Sequence, residues 1–303
     1  MGSQAEQRVG IVTGASSGMG LALTRHFIGK GWKIAMFDIN DKVGNELVQE
    51  LGPATSFHKV DVASYDSQAA GFLSVFEQHG RIDALLANAG IVDRSSLYIL
   101  GHRANQVEDI PPAPDTLCTD VDFKGVLYGT QLAVHFMRHN PPALGGGAGE
   151  AAGNDQVKGR IVCTASVAGI VPHPSYPEYN GAKAGVVTFI RGVAGVLKVK
   201  EQIHINCVCP GIVATSIIPP EMVAAVQPEY MTAVDTVVRG YEEFLDEKDQ
   251  RFGVVVEASV DEVLEVSEGR LANGKASEPA VTVWDPLFKM LHGEGSGLKN
   301  AIP

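Results

Sequence analysis

Seven short apolar runs, the first of them (VGIVTG) rich in β-branched residues, punctuate this chain, with helix-like stretches between most of them. They are VGIVTG (9–14), KIAMFD (33–38), TSFHKVD (55–61), DALLANAG (83–90), GRIVCTAS (159–166), IHINCVCPG (203–211) and FGVVVEAS (252–259). Their hydrophobicity is nearly continuous rather than alternating, which marks strands buried on both faces. After the first run, residues 19–29 carry Leu23, Phe27 and Ile28 on one helical side, and another helix is expected around 42–51. Such alternation builds a parallel sheet covered on both faces, and right-handed crossovers wind it in two directions. The expected fold class is therefore α/β, a doubly wound parallel sheet.

Apolar residues make up 45% of the 303 and charged residues 19%, enough to build a sizeable core, and 1–303 is read as a single domain. The formal charge of -11 argues against nucleic acid or an anionic membrane as partner, since both select clustered Lys and Arg. No apolar run approaches the roughly 18 residues of a membrane span. MGSQAEQRVG lacks a signal-peptide core, so a cytoplasmic location is expected. Cys118, Cys163, Cys207 and Cys209 form no Cys-x-x-Cys motif and are read as reduced thiols. The strand carrying Cys207 and Cys209 is expected to turn them to opposite sheet faces, which speaks against a shared metal. His102, His135, His139, His173 and His204 lack zinc spacing and are read as surface or wall residues, so no metal is expected.

Two stretches interrupt the rhythm. Residues 140–158 are Gly/Ala/Pro-rich and read as a mobile surface insertion. Residues 93–115 follow a strand at the sheet edge where doubly wound folds bind ligands; a wall of the site and a decorative loop both fit them.

TGASSGMG (13–20) sets Gly14, Gly18 and Gly20 between the first strand and first helix. Glycine there lets the backbone turn sharply and approach a pyrophosphate, which then meets the unsatisfied N–H groups of the helix. Ser16 and Ser17 add hydroxyl donors beside Met19. Asp38, about 20 residues on, ends the second strand, where an acid accepts the ribose hydroxyls of an adenosine and repels a 2′-phosphate. NAD is therefore expected over NADP. Asp61 and Val62 end the third strand, with Asp61 a candidate for the adenine amino group or for a helix cap.

TGASSGMG, NAG (88–90), Ser166, Tyr179-x-x-x-Lys183 and PGIVAT (210–215) together resemble the short-chain dehydrogenase/reductase superfamily, over roughly residues 8–216. Residues 217–265 more loosely resemble the branch containing 15-hydroxyprostaglandin dehydrogenase. The resemblance implies a Rossmann fold and a nicotinamide dinucleotide cofactor. It implies that Asn88 and Gly90 line the cleft, and that Pro210, Gly211, Ile212, Val213 and Thr215 hold the nicotinamide end. Tyr179 and Lys183, four apart on a helix, face one side. Tyr176 precedes Pro177 and is biased toward extended structure, so it is read as a substrate-pocket residue, with His173 at the border. A free phenol has a pKa of about 10, and the Lys183 ammonium is expected to lower it so that Tyr179 acts as general acid/base. Ser166 would steady the reacting oxygen.

One position departs from the family. Asp122 stands where the family usually has an asparagine that helps hold a proton-relaying water. Its charge is expected to strengthen the Lys183 ammonium yet partly cancel the pull on Tyr179. The leading reading is an NAD-dependent enzyme interconverting a secondary alcohol and a ketone on a hydrophobic small molecule, with a lid at about 216–250. Alternatives are a biosynthetic ketoreductase using NADPH, and a dinucleotide-binding protein of weakened redox activity serving as scaffold, sensor or non-redox catalyst. By resemblance, helices at about 116–138 and 177–199 would pair in a homodimer or homotetramer.

Overall fold

The computed structural model describes residues 7–141 and 157–303, so most of the stretch expected as an insertion lies outside the described residues. The seven expected strands form: β1 (Val9–Thr13), β2 (Lys33–Asp38), β3 (Thr55–Lys59), β4 (Ala84–Ala87), β5 (Gly159–Thr164), β6 (Ile203–Pro210) and β7 (Val255–Ser259). An eighth, β8 (Glu262–Glu265), completes one sheet in the order β3-β2-β1-β4-β5-β6-β7-β8. Pairing is parallel except between β7 and β8. β8 has only four residues, two of them glutamates, too little for an apolar-run search to find; charged ends suit an exposed sheet edge.

Each face of the sheet carries its own apolar layer. On one, α3 (Tyr65–His79), α5 (Gly125–Met137) and α6 (Pro177–Glu201) contribute Phe72, Val126, Met137, Val186 and Ile190. On the other, α1 (Gly18–Gly29), α2 (Asp41–Leu51) and α8 (Val234–Leu245) contribute Leu23, Leu47, Val237, Tyr241 and Phe244. The chain leaves β1 toward β2 and later returns to its other side as β4, so a crevice opens at the carboxyl ends of β1 and β4.

The structure corrects several expectations. Side chains two apart on a strand share a face, so Cys207 and Cys209 point the same way, with sulfurs 4.0 Å apart in the buried layer. His204 is neither surface nor wall: it is 3% exposed in β6, and burial, with Arg160 and Lys198 nearby, pushes its pKa down to about 4. The expected helix at 116–138 is α4 (Leu117–Thr119) running through a π-helical segment, Asp120–Lys124, into α5. The π segment carries Asp122, which is buried. Within the stretch expected as a lid, α7 (Pro220–Ala225) lies over the crevice side, whereas α8 is a core helix with Val237, Tyr241 and Phe244 buried.

Candidate active site

The crevice has two connected halves. One, of about 410 Å³, is lined by the glycine turn, Asp38, Asp61 and Val62. The other, of about 160 Å³, is lined by Ser166, Tyr179, Lys183, Asp122 and the Pro210–Thr215 segment. Met19, Asn88, Gly90, Thr215 and Ile217 border both, so the halves form one groove.

At the glycine turn, Gly14 and Gly18 have φ of 64° and 49°, conformations that an L side chain resists. Gly20 answers a different need: a Cβ there would stand 2.1 Å from the Gly14 carbonyl oxygen. The Ser16 hydroxyl is buried without a hydrogen-bond partner among the described residues, while Ser17 precedes α1 and is exposed. An unsatisfied buried hydroxyl beside a turn free of Cβ atoms, at a helix N-terminus, fits the phosphates of a dinucleotide.

Asp38 does not cap α2; Asn40 does, accepting from Val43 N–H. The Asp38 oxygens accept from Ser16 N–H and Asn40 N–H, both at 3.0 Å, which fixes the carboxylate at the rim with lone pairs to spare. Asp61 accepts from Ala63 N–H at 2.9 Å, and the cap of α3 is Ser64. Asn88 is committed to the framework. Its side chain donates to the Thr13 carbonyl at 3.1 Å and accepts from the Thr164 hydroxyl at 3.3 Å, joining the ends of β1, β4 and β5.

The second half brings the four chemical residues together. Lys183 is 2% exposed; its ammonium lies 3.0 Å from Asp122 Oδ2 and donates to the Thr164 carbonyl at 3.0 Å. The other Asp122 oxygen accepts from Ile91 N–H at 2.8 Å. Burial alone would lower the Lys183 pKa, but Asp122 and the Tyr179 oxygen outweigh it and hold the ammonium above its usual range. Burial pushes Asp122 upward, against the pull of Lys183 and the Ile91 amide.

The same ammonium lies 5.5 Å from the centre of the Tyr179 ring. For the chain by itself the expected lowering of the phenol does not prevail. Burial raises the Tyr179 pKa, Lys183 and the Ser166 hydroxyl oppose that rise, and Asp122 adds to it. Ser166 sits at the end of β5, where its oxygen accepts from Ala168 N–H at 3.1 Å.

Tyr176 and His173 stand on the same wall. The ring centres of His173 and Tyr176 are 5.3 Å apart, and those of Tyr176 and Tyr179 6.4 Å. Tyr176 is the residue before α6 and Tyr179 lies inside its first turn, as Pro177 dictates. The third wall is apolar: Ile217, Ile218 and Met222.

Sequence reasoning missed the residues that hold this arrangement in register. Asp93 accepts from Glu178 N–H at 3.0 Å and Tyr179 N–H at 2.8 Å, fixing the start of α6. Glu178 accepts from both the backbone N–H and hydroxyl of Thr119, each at 2.8 Å, three residues before Asp122. Cys118 donates to the Ile91 carbonyl at 3.2 Å, and burial keeps it a thiol. Asp93, Cys118 and Glu178 thus share one small volume, where they link three chain segments. No local pattern marks them, because the bonded partners are 27 to 86 residues apart.

The geometry agrees with what comparison finds. The short chain dehydrogenase family model matches residues 8–222. The short-chain dehydrogenase/reductase prx6 of Penicillium rubens is 49% identical over the whole length of both chains. Prx7 of the same organism is 36% identical, over 73% of this chain and 74% of its own. Among solved structures, a 3-ketoacyl-(acyl-carrier-protein) reductase from Brucella melitensis complexed with NADH superposes with a TM-score of 0.67. It covers 84% of this chain and 98% of its own, at 19% identity, a likeness of fold. The chain belongs to the short-chain dehydrogenase/reductase family, oxidoreductases that bind a nicotinamide dinucleotide.

Proposed function

We propose that this enzyme interconverts a secondary alcohol and a ketone on a hydrophobic small molecule, using NAD, with Tyr179 as general acid/base. The observation that carries the reading is the placement of Tyr179, Lys183 and Ser166 around one 160 Å³ pocket continuous with the dinucleotide groove. When bound, the nicotinamide accepts or gives hydride. Tyr179 takes the hydroxyl proton in oxidation and returns it in reduction. Ser166 donates a hydrogen bond to the reacting oxygen as charge develops on it. Lys183 stabilises the phenolate, held in place by Asp122 and the Thr164 carbonyl.

Asp38 supports NAD over NADP, because a fixed carboxylate at the adenosine end accepts ribose hydroxyls and repels a phosphate. Ile217, Ile218 and Met222 support an apolar substrate. Four free buried thiols agree with a reducing, cytoplasmic setting. An open apolar groove between α3, α5 and α6, lined by Leu127, Phe189, Val193 and Leu197, supports a homodimer or homotetramer built through those helices.

The test is incubation with NAD and a panel of apolar secondary alcohols, followed by reduced-nicotinamide absorbance. Turnover should fall at least about 100-fold in Tyr179→Phe and persist in Tyr176→Phe. Tight dinucleotide binding with no turnover on any alcohol or ketone would overturn the reading in favour of a binding protein. Tighter binding of NADPH than NADH would remove the cofactor assignment.

A further inference from the structure

The loop after β4 presents Leu97, Tyr98, Ile99 and Leu100 in succession, exposed by 45%, 53%, 48% and 56%. Soluble chains keep contiguous apolar surface small, so four such side chains in a row mark a contact. Their position is fixed by one bond: the Tyr98 hydroxyl donates to the Pro174 carbonyl at 2.7 Å. Pro174 adjoins His173, which lines the substrate pocket with Tyr176, and Val92 of the same loop also lines it. The bond ties the run to the segment that carries His173 and Tyr176. Val171, 72% exposed and two residues before His173, is a further apolar side chain on that segment.

Ile99 has φ 46° and ψ 32°. A β-branched residue resists this left-handed conformation, so the loop holds its apolar side chains outward against local preference. Size supplies the last constraint. The pocket around Tyr179 encloses about 160 Å³, whereas sites for drug-sized ligands take roughly 300–1,000 Å³. A substrate larger than a small alcohol extends beyond this pocket.

We propose that Leu97–Leu100 is a binding surface for the apolar body of the substrate, an alkyl or alicyclic skeleton that runs over the rim while its oxygen-bearing carbon sits at Tyr179. The surface determines specificity and takes no part in the proton transfer. This proposal rests on the assignment of Tyr179 as the reacting end of the site. The tie through Tyr98 and Pro174 to the segment bearing the pocket residues His173 and Tyr176 favours a substrate skeleton over a lipid surface or a second copy of the chain as the occupant.

A homologous series of 2-alkanones tests it through binding, with turnover measured separately. Dissociation constants are measured with NAD, which cannot reduce a ketone, for the protein and for the Tyr179→Phe variant. Affinity should rise about twofold per methylene once the chain outgrows the pocket, the value for half-burial of each group. A Leu97→Ser/Leu100→Ser double variant should lose that rise while binding the shortest ketones as before, and Tyr98→Phe should weaken it by releasing the loop from Pro174. An undiminished rise in the double variant overturns the proposal. So does pelleting with neutral phosphatidylcholine vesicles, or a change in sedimentation, that is lost in the double variant while the chain-length effect stays unaltered. Affinity that depends on Leu97 and Leu100 without turnover of any ketone in the unmutated enzyme would uphold the binding surface and remove only the proposed alcohol–ketone chemistry at Tyr179.

Discussion

Replacing Asp122 with asparagine should move the acidic limb of the alcohol-oxidation profile to lower pH by about one unit. The Lys183 ammonium is 5.5 Å from the Tyr179 ring centre, and Asp122 is 3.0 Å from that ammonium. A unit charge at roughly 8 Å, in an effective dielectric of about 20, interacts by about 2 kcal/mol, or about 1.5 pKa units. Water in the groove screens part of this, leaving about one unit. The sign follows from the charge. Asp122 disfavours phenolate, so its loss lowers the Tyr179 pKa, and the base becomes available at lower pH. Asparagine can still accept from Ile91 N–H, and Lys183 keeps the Thr164 carbonyl, so the local framework has partners in the variant. The assay is kcat/KM for alcohol oxidation across pH, with NAD saturating. A limb that stays in place, or moves to higher pH, would refute the electrostatic reasoning.

Three further outcomes are expected. Gly20→Ala should weaken NADH binding at least tenfold in a fluorescence titration, because its Cβ meets the Gly14 carbonyl at 2.1 Å and must displace the turn; unchanged affinity would mean the cradle does not hold the phosphates. Asp93→Ala should lower kcat with little change in the KM for NAD, since it frees the backbone of Tyr179, and Asp93→Asn, which keeps one of the two acceptors, should restore part of the rate; an unchanged kcat in Asp93→Ala would refute this positioning role. His204 is held neutral when folded, with its pKa near 4 against an unfolded value of about 6.5, so it contributes stability above that upper value that is lost as pH falls toward the lower one. His204→Phe should flatten that part of a denaturation-versus-pH curve, by up to about 3 kcal/mol at the acid end; an identical slope in both proteins would assign the acid sensitivity elsewhere.

The inner strands were legible because a parallel sheet buried on both faces needs unbroken apolar runs, whereas β3, a partly buried edge strand of sequence TSFHK, stood out only by its place in the alternation of strands and helices. The π-helical segment at 120–124 was not legible, since its sequence DVDFK suits an ordinary helix turn. β8 was too short and too charged to register. The lid was read too long because α8 is amphipathic like a surface helix, and only packing shows that its apolar side lies under the sheet.

For the site, sequence alone determined the chemistry available: a glycine turn that admits a phosphate, an acid at the end of the second strand, and a phenol and an ammonium one helical turn apart. Those are local relations, fixed by backbone conformation and helical period. Tertiary structure decided what state the groups occupy. It placed Asp122 against a buried Lys183, raised the Tyr179 phenol by burial where spacing promised a fall, and set Asp93 at the start of α6 from 86 residues away. Burial and long-range pairing depend on which segments the sheet brings together, and no local stretch of sequence carries that information.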